Sequence, residues 1–586
     1  MTVLYESVPL AYVAKLLDKD QILHFDTETI GLYGEVCLAQ FYQAHWNEAY
    51  VVEYPKADKL RDLLSTSWVN CFKSSYDLGT VRTTVAKLDD MFFACKTAYP
   101  LLDGHSLDNC APQFYEGLDK KELQKSFLKK RDALTDEQLH YGALDVYALQ
   151  WLWEQKEVQE VVANNLAYKT DCKAQNIAIE YQQNGMPVIH GAWKEAKLAT
   201  EHERQANQGE LNGLVGFNLN VKSWMQKQKA FPELPFNDKG KQPTDAPTFK
   251  RMMLEAKDPI KARTYELVLN TTKNRTDLQD LEKYRESYYP SEGSSLADGT
   301  KDTSNPVRIR TFFDVAGAIT GRFTSKGGDA VGHTNIQNIG RHFKHIFGYE
   351  ESAGRSLVSA DYSTAELIAG CSIFKVPSMR DLIMEGIDLH KAMASEITGK
   401  AVADITKDER QHAKAVGFGY LFGMGAERFQ GYAYDVFGIK LTIDECKEYK
   451  ATYYKAHPAI ALYHKQMAKN IKRPNFTVKT ALGRVVKPDR YSDALNIPVQ
   501  GTIGETTKLA ITYLYEDYPT LMKEVMLVNT VHDSIIIDTP DEYIQEVSDA
   551  LVICMKEAWV QVSKSPLFHY HNLPMGVDVD VGKRWC

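Results

Sequence analysis

No CxxC pair occurs in this sequence. Its nine cysteines are scattered over 586 residues, which argues against a zinc ribbon and for a reducing, intracellular setting. No stretch approaches the roughly 20 apolar residues that a membrane helix needs. The N-terminal "MTVLYESVPLAYVAKLL" lacks the basic flank and small-residue cleavage site of a secretory signal. There is no internal repeat and no low-complexity tail. An excess of positive charge is also missing: 69 Lys and Arg stand against 77 Asp and Glu, a net charge of −8. That balance does not advertise a polyanion partner, although a large enzyme can carry a basic cleft inside an acidic exterior. What is present is an ordinary globular composition, 44% hydrophobic and 25% charged. The length is too great for one core, so two to four domains are expected.

The first ~150 residues, the size of one domain, begin with a strand-like run, "QILHFDTETIGL", and close with an amphipathic helix, "DEQLHYGALDVYALQWLWEQ". From about Tyr168 to Tyr284 the pattern is helical, with long polar faces and basic residues such as Lys261, Arg263, Lys273 and Arg275. The Gly-, Ser-, Pro- and Asp-rich segment from Tyr288 to Pro306 reads as a mobile loop. "VRIRTFFDV" then reads as a strand, followed by mixed strands and helices to the end.

Three segments carry chemistry. "LVNTVHDSIIID" (Leu527 to Asp538) sets His532 and Asp533 between two β-branched runs, as at the tip of a hairpin. A buried unpaired carboxylate costs several kcal/mol or takes up a proton, so Asp533 is either a surface turn residue or the ligand of a cation. "GRSLVSADYSTAELIAG" (Gly354 to Gly370) is a buried strand ending in Asp361 and passing into a helix. Two strand-end aspartates could share two divalent ions about 3.5–4 Å apart. Between them, "DERQHAKAVGFGYLFGMG" repeats Arg410, Lys414, Phe418 and Phe422 at every fourth position, one face of a helix. Two cations followed by two aromatics suit a molecule with a polyphosphate at one end and a flat base at the other.

"DYSTAEL", "RQHAKAVGFGYLFG" and "VHDS" resemble motifs A, B and C of the family A DNA polymerases, in the right order. "TGRFTSKGGDAVGHTNIQNIG", "NIPVQGTIGETTKLAI" and "LPMGVDVDVGKRW" resemble further signatures of that family, so the likeness covers roughly Val307 to Cys586. The resemblance implies that Asp361 and Asp533 would bind two Mg²⁺, with Mn²⁺ as a substitute, to activate the primer 3′-hydroxyl and hold the triphosphate. It further implies that Arg410, Lys414 and His390 would contact the triphosphate, with Lys414 also a catalytic residue. Phe418 and Phe422 would lie at the incoming nucleotide, and Glu366 would exclude a ribose hydroxyl. Arg322, Asn335, Gln337, Asn338, Asn496, Gln500 and His532 would contact primer and template. Departures from the family pattern are Ser534 for the usual Glu, Phe422 for Tyr, Gly417 for Asn, Thr364 and Ile368 for Gln and Arg, and Ser492 for a primer-contacting Arg.

In the N-terminal region, Asp26 and Glu28 lie two apart on a strand and so share a face. Tyr141 and Asp145 lie one helical turn apart, and Asp77 lies between these pairs. The order DxE…D…YxxxD resembles the 3′–5′ exonuclease domain of the same family in its tyrosine-bearing form. By that likeness Asp26, Glu28, Asp77 and Asp145 would hold two further Mg²⁺ ions, and Tyr141 would position the attacking water. Lys73 stands where Asn is usual.

The implied architecture is a multidomain α+β protein. A ribonuclease H-like α/β exonuclease domain (1–160) is followed by thumb and connecting helices (161–306), where "NGMPVIHGAW" and "FNLNVKSWMQKQ" resemble the family's thumb. Then come a first palm part with antiparallel sheet (307–375), helical fingers (376–485) and a second palm part (486–586). The expectation is a phage-type polymerase without a 5′-nuclease domain, acting in the cytoplasm of an infected bacterium as a monomer. Its partners would be primer–template DNA, dNTPs and phage helicase and single-strand-binding proteins. Two other readings stand beside it: a nuclease with a DNA-binding scaffold, and a non-catalytic replication factor.

Overall fold

The computed structural model describes residues 3–31, 34–128, 133–237, 239–288, 308–326 and 335–585. The chain forms two compact units. One comprises Met1–Ile189, Glu286–Ala369 and Lys469–Cys586; the other comprises His190–Arg285 and Gly370–Ala468.

Among the described residues, the first unit holds two larger sheets and three two-stranded ones. The N-terminal sheet has six strands: β1 (Tyr5–Ser7), β2 (Ile22–Ile30), β3 (Glu35–Tyr42), β4 (Ala49–Glu53), β5 (Trp68–Cys71) and β6 (Lys87–Asp90), in the order β1-β4-β3-β2-β5-β6. It is mixed: β2 runs antiparallel to β3 and parallel to β5, so β2 is central and covered on both sides. Its residues from Ile22 to Phe25 are accordingly apolar or buried. The expected helix is present as Asp136–Glu154, opened by a Thr135–Gln138 capping box, and packs on β2 and β3. Leu23, Phe25, Phe41, Val69 and Leu78 centre this core.

The second sheet is antiparallel and has four strands: β7 (Arg355–Ser363), β8 (Met526–Val531), β9 (Ser534–Pro540) and β10 (Gly576–Gly582), in the order β8-β9-β7-β10. Helices Thr502–Asp517 and Ile544–Ser563 pack together against it, and the Tyr362 hydroxyl reaches the Met555 carbonyl at 2.7 Å. Helix Leu166–Asn184 packs against Thr502–Asp517 and β8. A buried ion network ties these segments. The Lys508 ammonium donates to Asp171 at 2.6 Å, Arg484 pairs with Asp171, and Arg484 Nε lies 3.5 Å from Glu505. Side-chain exposure across the four is 0–2%.

"VRIRTFFDV" is not one strand. Arg308–Ile309 pairs with Met186–Pro187, whereas Phe312–Asp314 pairs with Thr324–Lys326. The chain changes partner between them, which a run of apolar and β-branched residues cannot signal. The expected mobile loop falls, apart from Tyr288, outside the described residues.

The second unit is helical. His190–Val215, Ala246–Glu255 and Pro259–Tyr288 account for most of the expected 168–284 pattern, and Phe231, Phe249, Met253, Tyr265 and Val268 form a core there. The remainder includes Leu389–Thr398, Lys407–Leu421, Ala426–Phe437, Ile443–Ala456 and Pro458–Asn470.

Candidate active sites

Hairpin β8–β9 turns on two residues, His532 and Asp533, with Val531 paired to Ser534. His532 takes φ +58°, the left-handed conformation that a tight two-residue turn demands and that a non-glycine residue adopts at a cost. Next to β9 lies β7, which carries Asp361 and continues two residues beyond it before Thr364 (φ +54°) turns the chain into helix Ala365–Ile373. A β-branched residue in that region is strained. The sheet thus brings Asp361 and Asp533 together. Asp361 is open to solvent on one side, yet partial burial of its carboxyl, then the charges of Asp533 and Asp578, push its pKa up to about 7. Burial also raises Asp533, opposed by Arg322 and reinforced by Glu366.

Asp578 was not read from the sequence. It sits on β10 directly opposite Asp361 in the ladder and accepts from Ser363 Oγ at 2.7 Å. Only strand register reveals it; the alternation in "VDVDVG" marks a strand without saying what it faces. Ser534, in the place of the family's Glu, donates to the Val531 carbonyl at 3.0 Å and closes the turn.

Around the pair, Arg322 Nη2 donates to Glu366 at 2.8 Å, both side chains largely buried. Two glycines make room for this segment. A Cβ on Gly501 would meet the Thr320 carbonyl at 2.6 Å, and one on Gly504 would meet Arg322 at 3.0 Å. A π-helical turn, Ile497–Gly501, separates Asn496 from helix Thr502–Asp517, and the Asn496 Oδ1 is buried without a partner; such turns recur at functional sites. Gln337 Nε2 donates to the Thr530 carbonyl at 2.7 Å, and Asn335 Oδ1 accepts from Ser325 and from the Gln337 backbone. Both are thereby tied near the hairpin, while Asn338 is exposed and Gln500 half-buried. Burial, then Arg322, lowers the His532 pKa. Ser492 offers no cation; Arg490, two residues earlier, is paired with Asp493.

In the second unit, helix Lys407–Leu421 opens with a Thr406–Glu409 capping box, and Arg410, Lys414 and Phe418 are half-buried along one stripe. Phe422 follows as the residue that ends the helix, with φ −102° and ψ 21°. Arg410 Nε donates to Asp388 at 2.8 Å, and Asp388 also accepts from the backbone N–H of His390 and Lys391. His390 is buried with its ring 5.7 Å from Phe418, and its Nε2 has no partner. Burial lowers its pKa to about 4 despite Asp388, with Arg410 and Lys414 adding to the drop. Asp388, an N-cap two residues before His390, was not singled out in the sequence.

The N-terminal carboxylates converge as well. Oxygen atoms of Asp26, Glu28 and Asp145 lie within 4.8 Å of one another. Asp77 accepts from Thr27 Oγ1 at 2.7 Å and Thr27 N at 3.1 Å, which fixes it beside β2. Burial, then mutual repulsion, pushes Asp26 and Glu28 well above the usual carboxylate range; burial chiefly raises Asp77 to about 8 and Asp145 to about 6. These groups and Tyr141 line a cavity of about 500 Å³ together with Lys73 and Lys120. Tyr141 is buried, and burial raises its hydroxyl pKa. The Tyr115 hydroxyl donates to Asp145 at 2.5 Å; nothing in "QFYEG" announced it. Lys73 takes φ +70° at the start of helix Ser74–Val81, and its N–H donates to Asp90 at 2.9 Å.

The carboxylate groups are hard oxygen donors crowded enough to resist ionisation, a donor set that suits Mg²⁺ or Mn²⁺. The model of DNA polymerase family A matches residues 192–586. The chain is similar to DNA polymerase I of Aquifex aeolicus (strain VF5), 27% identical over 604 residues and covering 97% of each chain. It is also similar to the DNA polymerase of Bacillus phage SP01, 28% identical over 260 residues, which span 41% of this chain and 28% of that relative. Among solved structures it resembles the POL domain of Pol1 from M. smegmatis in complex with DNA primer-template and dNTP, with a TM-score of 0.74, 17% identity and 99% of each chain covered.

Proposed function

Because the chain belongs to DNA polymerase family A, we propose that it is a template-directed DNA polymerase with 3′–5′ proofreading activity that copies phage DNA inside an infected bacterium. The observation that carries the polymerase reading is the pairing of Asp361 with Asp533. Their strands are separated by most of the C-terminal half, yet the sheet brings them together, and burial, joined at Asp361 by the charge of Asp533, makes both carboxyls hold their protons. A carboxylate pair of this kind is stable when a divalent cation neutralises it. Bound there, Mg²⁺ would supply an acidified primer hydroxyl and neutralisation of the leaving pyrophosphate.

The chain's own residues would do the rest. The reaction joins the primer 3′-oxygen to the α-phosphorus of a dNTP and releases pyrophosphate. Arg410 and Lys414, with neutral His390 beside them, would hold the triphosphate, and Phe418 and Phe422 would meet the sugar and base. Glu366, held by Arg322, would bar a 2′-hydroxyl. Asn335, Gln337, Asn338, Asn496, Gln500 and His532 would contact primer and template. In the N-terminal cavity Asp26, Glu28, Asp77 and Asp145 would hold the hydrolytic ions and Tyr141 the attacking water. In domain terms, the N-terminal sheet and helices would be the exonuclease, the four-stranded sheet the palm, and the helices of the second unit the thumb and fingers. Support for the phage setting is the similarity to the Bacillus phage SP01 polymerase.

Primer extension and single-strand digestion, run side by side with Mg²⁺, test this. Asp533→Ala abolishes extension and spares digestion, and Asp26→Ala does the reverse. Loss of both activities in either variant, with circular dichroism unchanged, overturns the two-site reading.

A further inference from the structure

We propose that Lys120 is a substrate contact of the N-terminal cavity, its ammonium hydrogen-bonded to the last phosphodiester of a single strand. The proposal rests on the exonuclease reading of that cavity. Lys120 is the first residue of helix Lys120–Ser126, set by Asp119, whose carboxylate caps the Glu122 N–H at 3.2 Å. It lines the cavity that holds Asp26, Glu28 and Asp145. Two contacts hold it. Its Nζ lies 3.0 Å from Asp108 and 4.6 Å from the ring centroid of Tyr115, the residue whose hydroxyl donates to Asp145.

The chemistry needs such a group. A cavity of four carboxylates repels a phosphodiester, and the tie to Asp108, itself partly exposed, is weak enough to yield to a phosphate oxygen. Among the described residues that line the cavity, Lys73 is also a cation, and it lies against the Phe92 ring at 5.2 Å. In hydrolysis, water oxygen bonds to phosphorus and gives its proton to solvent. The bond to the 3′-oxygen of the penultimate nucleotide breaks, that oxygen takes up a proton, and a nucleoside 5′-monophosphate leaves. Negative charge grows on the phosphate oxygens meanwhile, and a fixed ammonium there stabilises it.

The test uses the full chain with Lys120→Gln and Lys120→Arg. Digestion of a single strand falls about tenfold to a hundredfold in Lys120→Gln, the loss expected for one charge-assisted hydrogen bond, and largely survives in Lys120→Arg. A second readout is binding of a single-stranded tetranucleotide in EDTA, its final linkage either a phosphodiester or a neutral methylphosphonate. Neutralising that linkage weakens binding to the parent protein and to Lys120→Arg, and makes no difference to Lys120→Gln. Equal sensitivity in all three proteins overturns the proposal. So does slower digestion accompanied only by a lowered melting temperature, which would mean that Lys120 merely supports Tyr115 and Asp145. If Asp26→Ala and Glu28→Ala also leave digestion intact, the exonuclease reading itself fails; if they abolish it and Lys120→Gln does not, only this inference fails.

Discussion

At the scale of single residues, Lys73 illustrates how a departure from a family pattern acquires a physical meaning. Its backbone sits at φ +70° and ψ +59° because the Lys73 and Ser74 N–H groups both turn toward Asp90. An L-residue in that conformation costs roughly 1–2 kcal/mol, and Asn bears it better than Lys. Lys73→Asn is therefore expected to raise the melting temperature despite losing the Phe92 contact, and Lys73→Val to lower stability by about 1 kcal/mol. Thermal unfolding with activity assays separates this backbone effect from any change in digestion. Spacing alone pairs Asp26 with Glu28 and Tyr141 with Asp145, and the resemblance of their order to the family's exonuclease domain adds Asp77. Asp578, Tyr115 and Asp388 were not legible in the sequence, because each acquires its place from a partner elsewhere in the chain.

At the scale of elements, strand β2 and helix Asp136–Glu154 carry carboxyls whose neutral forms the fold favours. Unfolded, these groups titrate near pH 4. Folded without metal, Asp145 titrates at about 6 and Asp77 at about 8, with Asp26 and Glu28 also well raised. At these four groups the folded chain therefore binds more protons than the unfolded one across that interval, so their contribution to stability falls as pH rises from about 4 to 8. In EDTA, melting temperature is expected to drop between pH 5 and pH 8. Added Mg²⁺ restores it at pH 8, and Asp26→Asn with Glu28→Gln flattens the slope. A melting temperature that rises over the same range with the carboxyls intact, and is unmoved by that double substitution, contradicts this account. Element identity was readable for β2, β7 and the β8–β9 hairpin, where turn residues and alternation agree. It failed at "VRIRTFFDV", where one apolar run serves two different partners.

At the scale of the whole molecule, family membership came from motifs that are local in the chain, whereas the division into two units did not. Each unit is assembled from separated segments, and no composition shift marks where the chain leaves one and enters the other. The Asp171–Arg484–Glu505–Lys508 network lies within the first of them and unites residues more than 300 positions apart. A protein begun at residue 192, where the family match starts, would carry Arg484 and Lys508 without Asp171. Two interior cations would then lose their direct hydrogen-bonded partner and keep only Glu505 and Asp314 among the described acids that act on Arg484, a loss of several kcal/mol. Such a truncation is expected to be insoluble or to melt far below the full chain, and Arg484→Met with Lys508→Met to recover part of the difference. The stretch before residue 192 is no detachable accessory: helix Leu166–Asn184 contributes a counter-ion to the foundation on which the four-stranded sheet and its helices are built.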